Sequence, residues 1–292
     1  MVRTNNNVIR YFGAHVSAAG GLENALTAGK ELGINTIQIH PSPPQRWNGK
    51  PFPKGVEDKF LAGREDSPVK RIFFHGIYLI NLANPDPQKF HLSKISLVHY
   101  LDLLQRIGGD GVIFHVGSFK DQEDEDSGYK QIIMGIDWIF AQADNPARLI
   151  LEVAAGSGKI VGDRMEELKR IYDGVEKKER LGFGLDSQHM WASGYDLKSK
   201  MEEVVEEVGH VFGFDKVWAI HLNDSKTALA SKTDRHENLG AGLIGEQALC
   251  GLLAHPKLAH IPFILETPAL KNMESAKPEV EKLRGWVSSI IA

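Results

Sequence analysis

Apolar and polar positions alternate along the chain in eight repeats of one pattern. Short apolar runs occupy residues 8–13, 36–39, 71–74, 111–114, 148–151, 181–185, 217–220 and 263–265. Longer amphipathic stretches follow them at about 22–32, 56–64, 92–107, 129–141, 164–173, 198–210, 245–254 and 276–288. Repeated strand–helix units of this kind predict a parallel sheet covered by helices. Eight such units suit an α/β fold of the (β/α)8 TIM-barrel type, which typically needs about 250 residues. No Pro/Gly/Ser-rich linker and no shift of composition divides the chain, so a single TIM-barrel domain over residues 1–292 is expected.

Barrel enzymes build their sites at the C-terminal ends of the strands and on the loops that follow. Two of those loops stand out. Residues 40–53 hold five of the 13 prolines together with Arg46 and Trp47, and residues 222–244 form a long polar stretch. Long loops on that side are usually functional. Reading the residue at or just beyond each apolar run gives His15, His40, His75, His115, Glu152, Asp186, His221 and Glu266. All eight would converge on one mouth.

Composition narrows the chemistry of that mouth. With 42% hydrophobic and 25% charged residues the chain is neither collagen-like nor disordered. It has no run of about 20 apolar residues and its first residues lack the apolar stretch of a signal peptide, so no membrane association and a cytoplasmic location are expected. Cys250 is the lone cysteine, which excludes an internal disulfide and a four-cysteine zinc site. The net charge of −4 excludes a strongly basic nucleic-acid-coating protein. Carboxylates and imidazoles crowded together leave charge uncompensated unless cations sit among them. A donor set without thiolate suits zinc, and manganese or iron less firmly; one tetrahedral zinc would use only four of these groups, so more than one ion is expected. Two further clusters extend the set: His189 three residues beyond Asp186, and Asp234 with His236 in the seventh loop. The competing reading makes each strand-end histidine a hydrogen-bonded core residue and Asp234-Arg235 a surface ion pair.

The motifs carry a family resemblance. Gly13-Ala14-His15-Val16-Ser17, His75 to Leu82 with Asn81, Phe114-His115-Val116-Gly117-Ser118, Asp186 to His189, His221-Leu222-Asn223-Asp224-Ser225-Lys226, Asp234-Arg235-His236 and Leu265-Glu266-Thr267 resemble, in order, those of the endonuclease IV family. These are zinc-dependent apurinic/apyrimidinic endonucleases of base-excision repair, on a xylose-isomerase-like TIM barrel. The resemblance implies three zinc ions. His75 and His115 would hold the first and share Glu152 with the second; Asp186, His221 and Glu266 would complete the second; His189, Asp234 and His236 would hold the third. His15 and His40 are left without a metal. It further implies a double-stranded DNA partner carrying abasic sites and attack by a bridging hydroxide beside Glu152, taken as the catalytic residue. The phosphodiester 5′ to the lesion would be cut, leaving a 3′-hydroxyl and a 5′-deoxyribose phosphate, and the enzyme would act as a monomer. Tyr78 and Leu79 match the side chains that the family pushes into the minor groove, and Arg46 and Trp47 lie in the corresponding second loop; for Trp47 the alternative is a loop anchor packed on the barrel.

The chain also departs from the family pattern. Pro43-Pro44-Gln45-Arg46-Trp47 shifts the arginine by one place, Gly76-Ile77 replaces a polar pair, Val116 and Phe119 stand where Pro and His are usual, and Val153-Ala154 replaces Asn-Thr. His40 takes the place of an aromatic residue. These changes touch substrate contacts more than metal ligands, which keeps two other functions in view: a sugar isomerase or epimerase on the same barrel, and a DNA-damage binder that does not cut. Histidines on the helical stretches, His99 among them, are expected at the surface. The acidic run at 121–126 is expected to be a solvated loop, since it lacks the terminal glutamate of an EF-hand.

Overall fold

Parallel strands need crossovers of a dozen or more residues, and here each crossover carries a helix. The computed structural model describes residues 10–120 and 122–291. Its strands are β1 (Phe12–His15), β2 (Thr36–Ile39), β3 (Arg71–His75), β4 (Gly111–Phe114), β5 (Leu149–Glu152), β6 (Leu181–Asp186), β7 (Val217–His221), the two-residue β8 (Asp224–Ser225) and β9 (His236–Glu237), and β10 (Phe263–Leu265). Eight of them close into a barrel in the order β1-β10-β7-β6-β5-β4-β3-β2, every pairing parallel, while β8 and β9 form a separate antiparallel ribbon. The TIM barrel expected from the repeat pattern is the fold.

The helices are α1 (Glu23–Leu32), α2 (Asp58–Arg64), α3 (Pro87–Ile107), α4 (Glu125–Gln142), α5 (Met165–Gly174), α6 (Ser187–Ser193), α7 (Met201–Val211), α8 (Glu246–Ala254) and α9 (Met273–Ile291). Capping explains where some begin earlier than their apolar pattern. Asp86 accepts from the backbone N–H of Gln88 and Lys89, and Pro87 fits the first helical position, so α3 starts five residues before residue 92. Asp124 accepts from the N–H of Ser127 and starts α4, so part of the acidic run is a helix start rather than a free loop; Asp121 lies outside the described residues. No described helix is long and apolar enough to cross a membrane.

The first strand lies later than expected. Residues 8 and 9 of the predicted run are outside the described residues, and β1 covers Phe12–His15, so His15 ends the strand instead of following it. The short α6 has no counterpart in the apolar pattern, because Ser187 to Ala192 are all buried and show no polar face to reveal a helical period. His99 is likewise buried, its Nδ1 2.8 Å from the Asn48 carbonyl, and ties the second loop to α3 rather than facing solvent.

Side chains alternate along a strand, and this alternation creates two layers inside the barrel. Gly13, Thr36, Phe73, Ile113, Ile150, Gly184, Ala219 and Ile264 each stand two positions before a polar residue with the same inward parity. Phe73, Ile113, Ile150, Ala219 and Ile264 form an apolar cluster of their own, apart from the large core between sheet and helices. The glycine has a local reason: a Cβ at Gly13 would lie 1.7 Å from the Thr36 carbonyl oxygen, so only glycine lets β1 approach β2 so closely. This plug fills the barrel and leaves the next layer as a polar floor at the C-terminal mouth.

Candidate metal centre

That floor consists of His15, Gln38, His75, His115, Glu152, Asp186, His221 and Glu266, one from each barrel strand or the residue beyond it. Seven of these are the strand-end residues expected from the sequence. The eighth is a correction of depth: His40 has the inward parity but stands one step above, and Gln38 is the buried floor residue of β2. The signal that could have found it is a fully polar amide flanked by Ile37 and Ile39 inside a predicted strand.

Glu152 sits at the centre and is fully buried. Its Oε1 lies 2.7 Å from Nδ1 of His221, and its Oε2 lies 3.2 Å from Nε2 of His75 and 3.5 Å from Nε2 of His115. Nδ1 of His221 also faces Glu266 Oε2 at 3.2 Å and Asp186 Oδ2 at 3.7 Å. Asn223 steadies this side: its Nδ2 donates to Asp186 Oδ2 at 2.7 Å and its Oδ1 accepts from the Glu266 N–H at 2.8 Å.

A second group is built on α6 and the ribbon. Asp186 caps α6 by accepting from the His189 N–H at 2.9 Å, and the first helical turn returns His189 to the mouth. Its Nδ1 is 3.0 Å from the Val153 carbonyl, which leaves Nε2 facing Asp234 Oδ2 at 3.4 Å and His236 Nε2 at 3.5 Å. His236 pairs with Ser225 in the ribbon, and its Nε2 lies 3.4 Å from Asp234 Oδ1. The ribbon is pinned from below by Asp224, a buried carboxylate that accepts from the backbone N–H of Ser225, Gly242, Ile244 and Gly245.

The charges act strongly on one another. Burial opposes ionisation of Glu152, but the imidazoles of His115, His221 and His189 hold it well below the usual carboxylate range. Glu266 is held low in the same way, burial being outweighed chiefly by the His221 imidazole and by the close approach of His15. Burial lowers His221, yet Glu266, Glu152 and Asp186 together push it up to about 9. Asp234, against burial, is drawn down to about 2 by His189 and His236. His40 goes the other way, to about 3, through burial and the neighbouring His15 and His75.

Donor atoms fall into three groups, each within 4.8 Å: His75 with His115 and Glu152; Glu152 with Asp186, His221 and Glu266; Asp186 with His189 and His236. Glu152 and Asp186 each belong to two groups. Asp234 is half exposed and joins the last group through its contacts with both histidines. Nitrogen and oxygen donors at this spacing, with buried carboxylates at the points of sharing, fit two or three adjacent divalent ions. A cleft of about 1030 Å³ opens above them, its walls including His15, His40, Tyr78, Asp234 and Thr267. His15 and His40 meet in it with ring centroids 4.5 Å apart and ring planes tilted by 54°, and His40 Nδ1 lies 3.2 Å from the His75 carbonyl.

The side chains expected to meet DNA differ among themselves. Tyr78 is 75% exposed and Leu79 39% exposed, at the tip of the loop after β3. Arg46 is exposed, but Trp47 is half-buried and packs on the main core, which is the geometry of a loop anchor.

Residues 26–289 match a sequence family described as a xylose isomerase-like TIM barrel. The chain is 36% identical over 278 residues to an apurinic-apyrimidinic endonuclease of Caenorhabditis elegans, covering 94% of this chain and 70% of that protein. It is 34% identical over 272 residues to a probable endonuclease 4 of Clostridium botulinum, covering 93% and 97%. Among solved structures, endonuclease IV of Thermus thermophilus superimposes with a TM-score of 0.85 at 29% identity, covering 96% of this chain and 99% of that one.

Proposed function

We propose that this chain, which belongs to the endonuclease IV family of xylose isomerase-like TIM barrels, is a metal-dependent apurinic/apyrimidinic endonuclease of base-excision repair. It hydrolyses the phosphodiester 5′ to an abasic site in duplex DNA and leaves a 3′-hydroxyl and a 5′-deoxyribose phosphate. The observation that carries this reading is the gathering of nine donor residues, His75, His115, Glu152, Asp186, His189, His221, Asp234, His236 and Glu266, at one barrel mouth. A sugar isomerase or epimerase has no evident use for the His75–His115 pair or for the ribbon-borne Asp234 and His236.

Three zinc ions are the expected complement, with manganese or iron compatible at one position. When bound, such ions supply a nucleophile at neutral pH and relieve charge at the phosphorus. The chain itself supplies the frame. Glu152 and Asp186 tie neighbouring groups together from rigid strand ends, and His189 and His236 set the outer edge. Three divalent charges would reverse the sign of the net charge of −4 and concentrate positive potential where a phosphate arrives. Tyr78 and Leu79 stand free to enter the minor groove and expose the abasic nucleotide, with Arg46 available to a phosphate and Trp47 holding its loop in place.

The test is incision of a labelled duplex with one abasic site, by protein as purified and after chelation. Metal-dependent nicking 5′ to the site is expected. Protein that carries its ions and leaves the duplex intact would overturn the reading.

A further inference from the structure

A metal-bound imidazole needs its second nitrogen held, because that bond sets which nitrogen is left free for the ion. For His221 the partner is Gln38, on the far side of the barrel floor. Nε2 of His221 lies 2.7 Å from Gln38 Oε1. The amide can face only one way. Gln38 Nε2 lies 2.5 Å from Glu266 Oε1, and an ionised carboxylate can only accept, so the NH2 group must point at Glu266. Its other proton reaches His15 Nδ1 at 3.0 Å. The oxygen is therefore left for His221, whose Nε2 must donate. Nδ1 is then the ligating nitrogen, and it is this atom that faces Glu152, Asp186 and Glu266.

We propose that Gln38 is a positioning residue of the metal centre, fixing the His221 tautomer that presents Nδ1 to the ion and orienting Glu266 beside it. Its side chain is fully buried and three bonds satisfy it, so it is part of the floor and not of the substrate cleft. The inference rests on the metal-dependent reading above.

The test titrates zinc against a competing chelator and follows the His221 ring by nitrogen NMR in histidine-labelled protein. In the parent protein, two or more zinc ions bind and the His221 Nε2–H resonance persists in the loaded state. Gln38→Leu, close in size and without polar atoms, should weaken zinc at the His221 position by about 10- to 100-fold. It should also erase that resonance, while the ion at the His189–His236 edge stays bound. Gln38→Glu keeps an acceptor for Nε2–H but sets a second carboxyl group against Glu266 in place of the amide, so the resonance should return while zinc binding stays impaired. This second variant decides the matter if Gln38→Leu does not fold. Unchanged zinc affinity in a folded Gln38→Leu protein, loss of the resonance in Gln38→Glu, or coordination through Nε2 would each overturn the proposal. Failure of the parent protein to bind zinc would instead overturn the metal-dependent reading itself.

Discussion

The two halves of the metal centre are held by different means. His75, Glu152, Asp186 and His221 end barrel strands and are almost wholly buried, so their positions follow from sheet register and from the apolar plug beneath them. Asp234 and His236 ride on the loop after β7, and Asp234 is half exposed. What holds that loop is hydrogen bonding: the β8–β9 ribbon, four N–H groups on Asp224, and Gln188 Nε2 donating to the Thr233 carbonyl. A strand end is fixed by the same forces that fold the barrel. A loop-borne ligand needs its own buried carboxylate to hold it.

This contrast can be broken at either side. The largest effect is expected at the centre. Glu152→Gln removes the charge that four imidazoles surround, and incision of abasic duplex should be lost while the barrel still folds, as circular dichroism would show; normal incision by this variant would remove Glu152 from the mechanism. Next, His236→Ala should cost the protein its outer ion only, read by elemental analysis as one metal fewer with the others retained. Asp224→Asn brings an NH2 group against backbone donors in a buried site. It should destabilise the protein by about 2 kcal/mol and loosen the outer ion before the inner ones, a difference seen by denaturant titration at graded chelator.

A pH series sharpens the same comparison in metal-free protein. His221, raised to about 9 from its usual 6.5, contributes stability that is complete below pH 6.5 and fades as pH rises through 9. Asp234, lowered to about 2 from 3.8, contributes above pH 4 and loses this only as pH falls through 2. The chelated protein should therefore lose melting temperature between pH 6.5 and 9, and the metal-loaded protein should not. The smallest effect on stability belongs to Tyr78→Ala. A residue so exposed should change stability by less than about 0.5 kcal/mol, yet this variant should weaken incision of abasic duplex.

Much of the fold and of the metal centre is legible in the sequence, and the reasons differ by residue. The strands at 111–114 and 263–265 coincide with β4 and β10, because a fully buried strand reads as an apolar run, and that at 36–39 coincides with β2 although Thr36 and Gln38 interrupt its apolar residues. His75, His115, Glu152, Asp186, His221 and Glu266 can be found at strand ends since period-two alternation makes the first inward polar residue conspicuous. Gln38 escapes such a reading because three inward positions, 36, 38 and 40, are polar, and only depth separates them. Trp47 can be read as a DNA contact or as an anchor, and its packing favours the anchor.

By itself the sequence determined the barrel, the mouth at which its chemistry is gathered and the donor types available there, because hydrophobic period and residue identity are local properties of a chain. The tertiary structure decided how those donors are shared: that Glu152 and Asp186 each stand in two groups, that Asp224 holds the outer loop, and that Gln38 faces His221 across the floor. These relations join residues up to 183 positions apart. They depend on the register and closure of eight strands, which no local stretch of sequence contains.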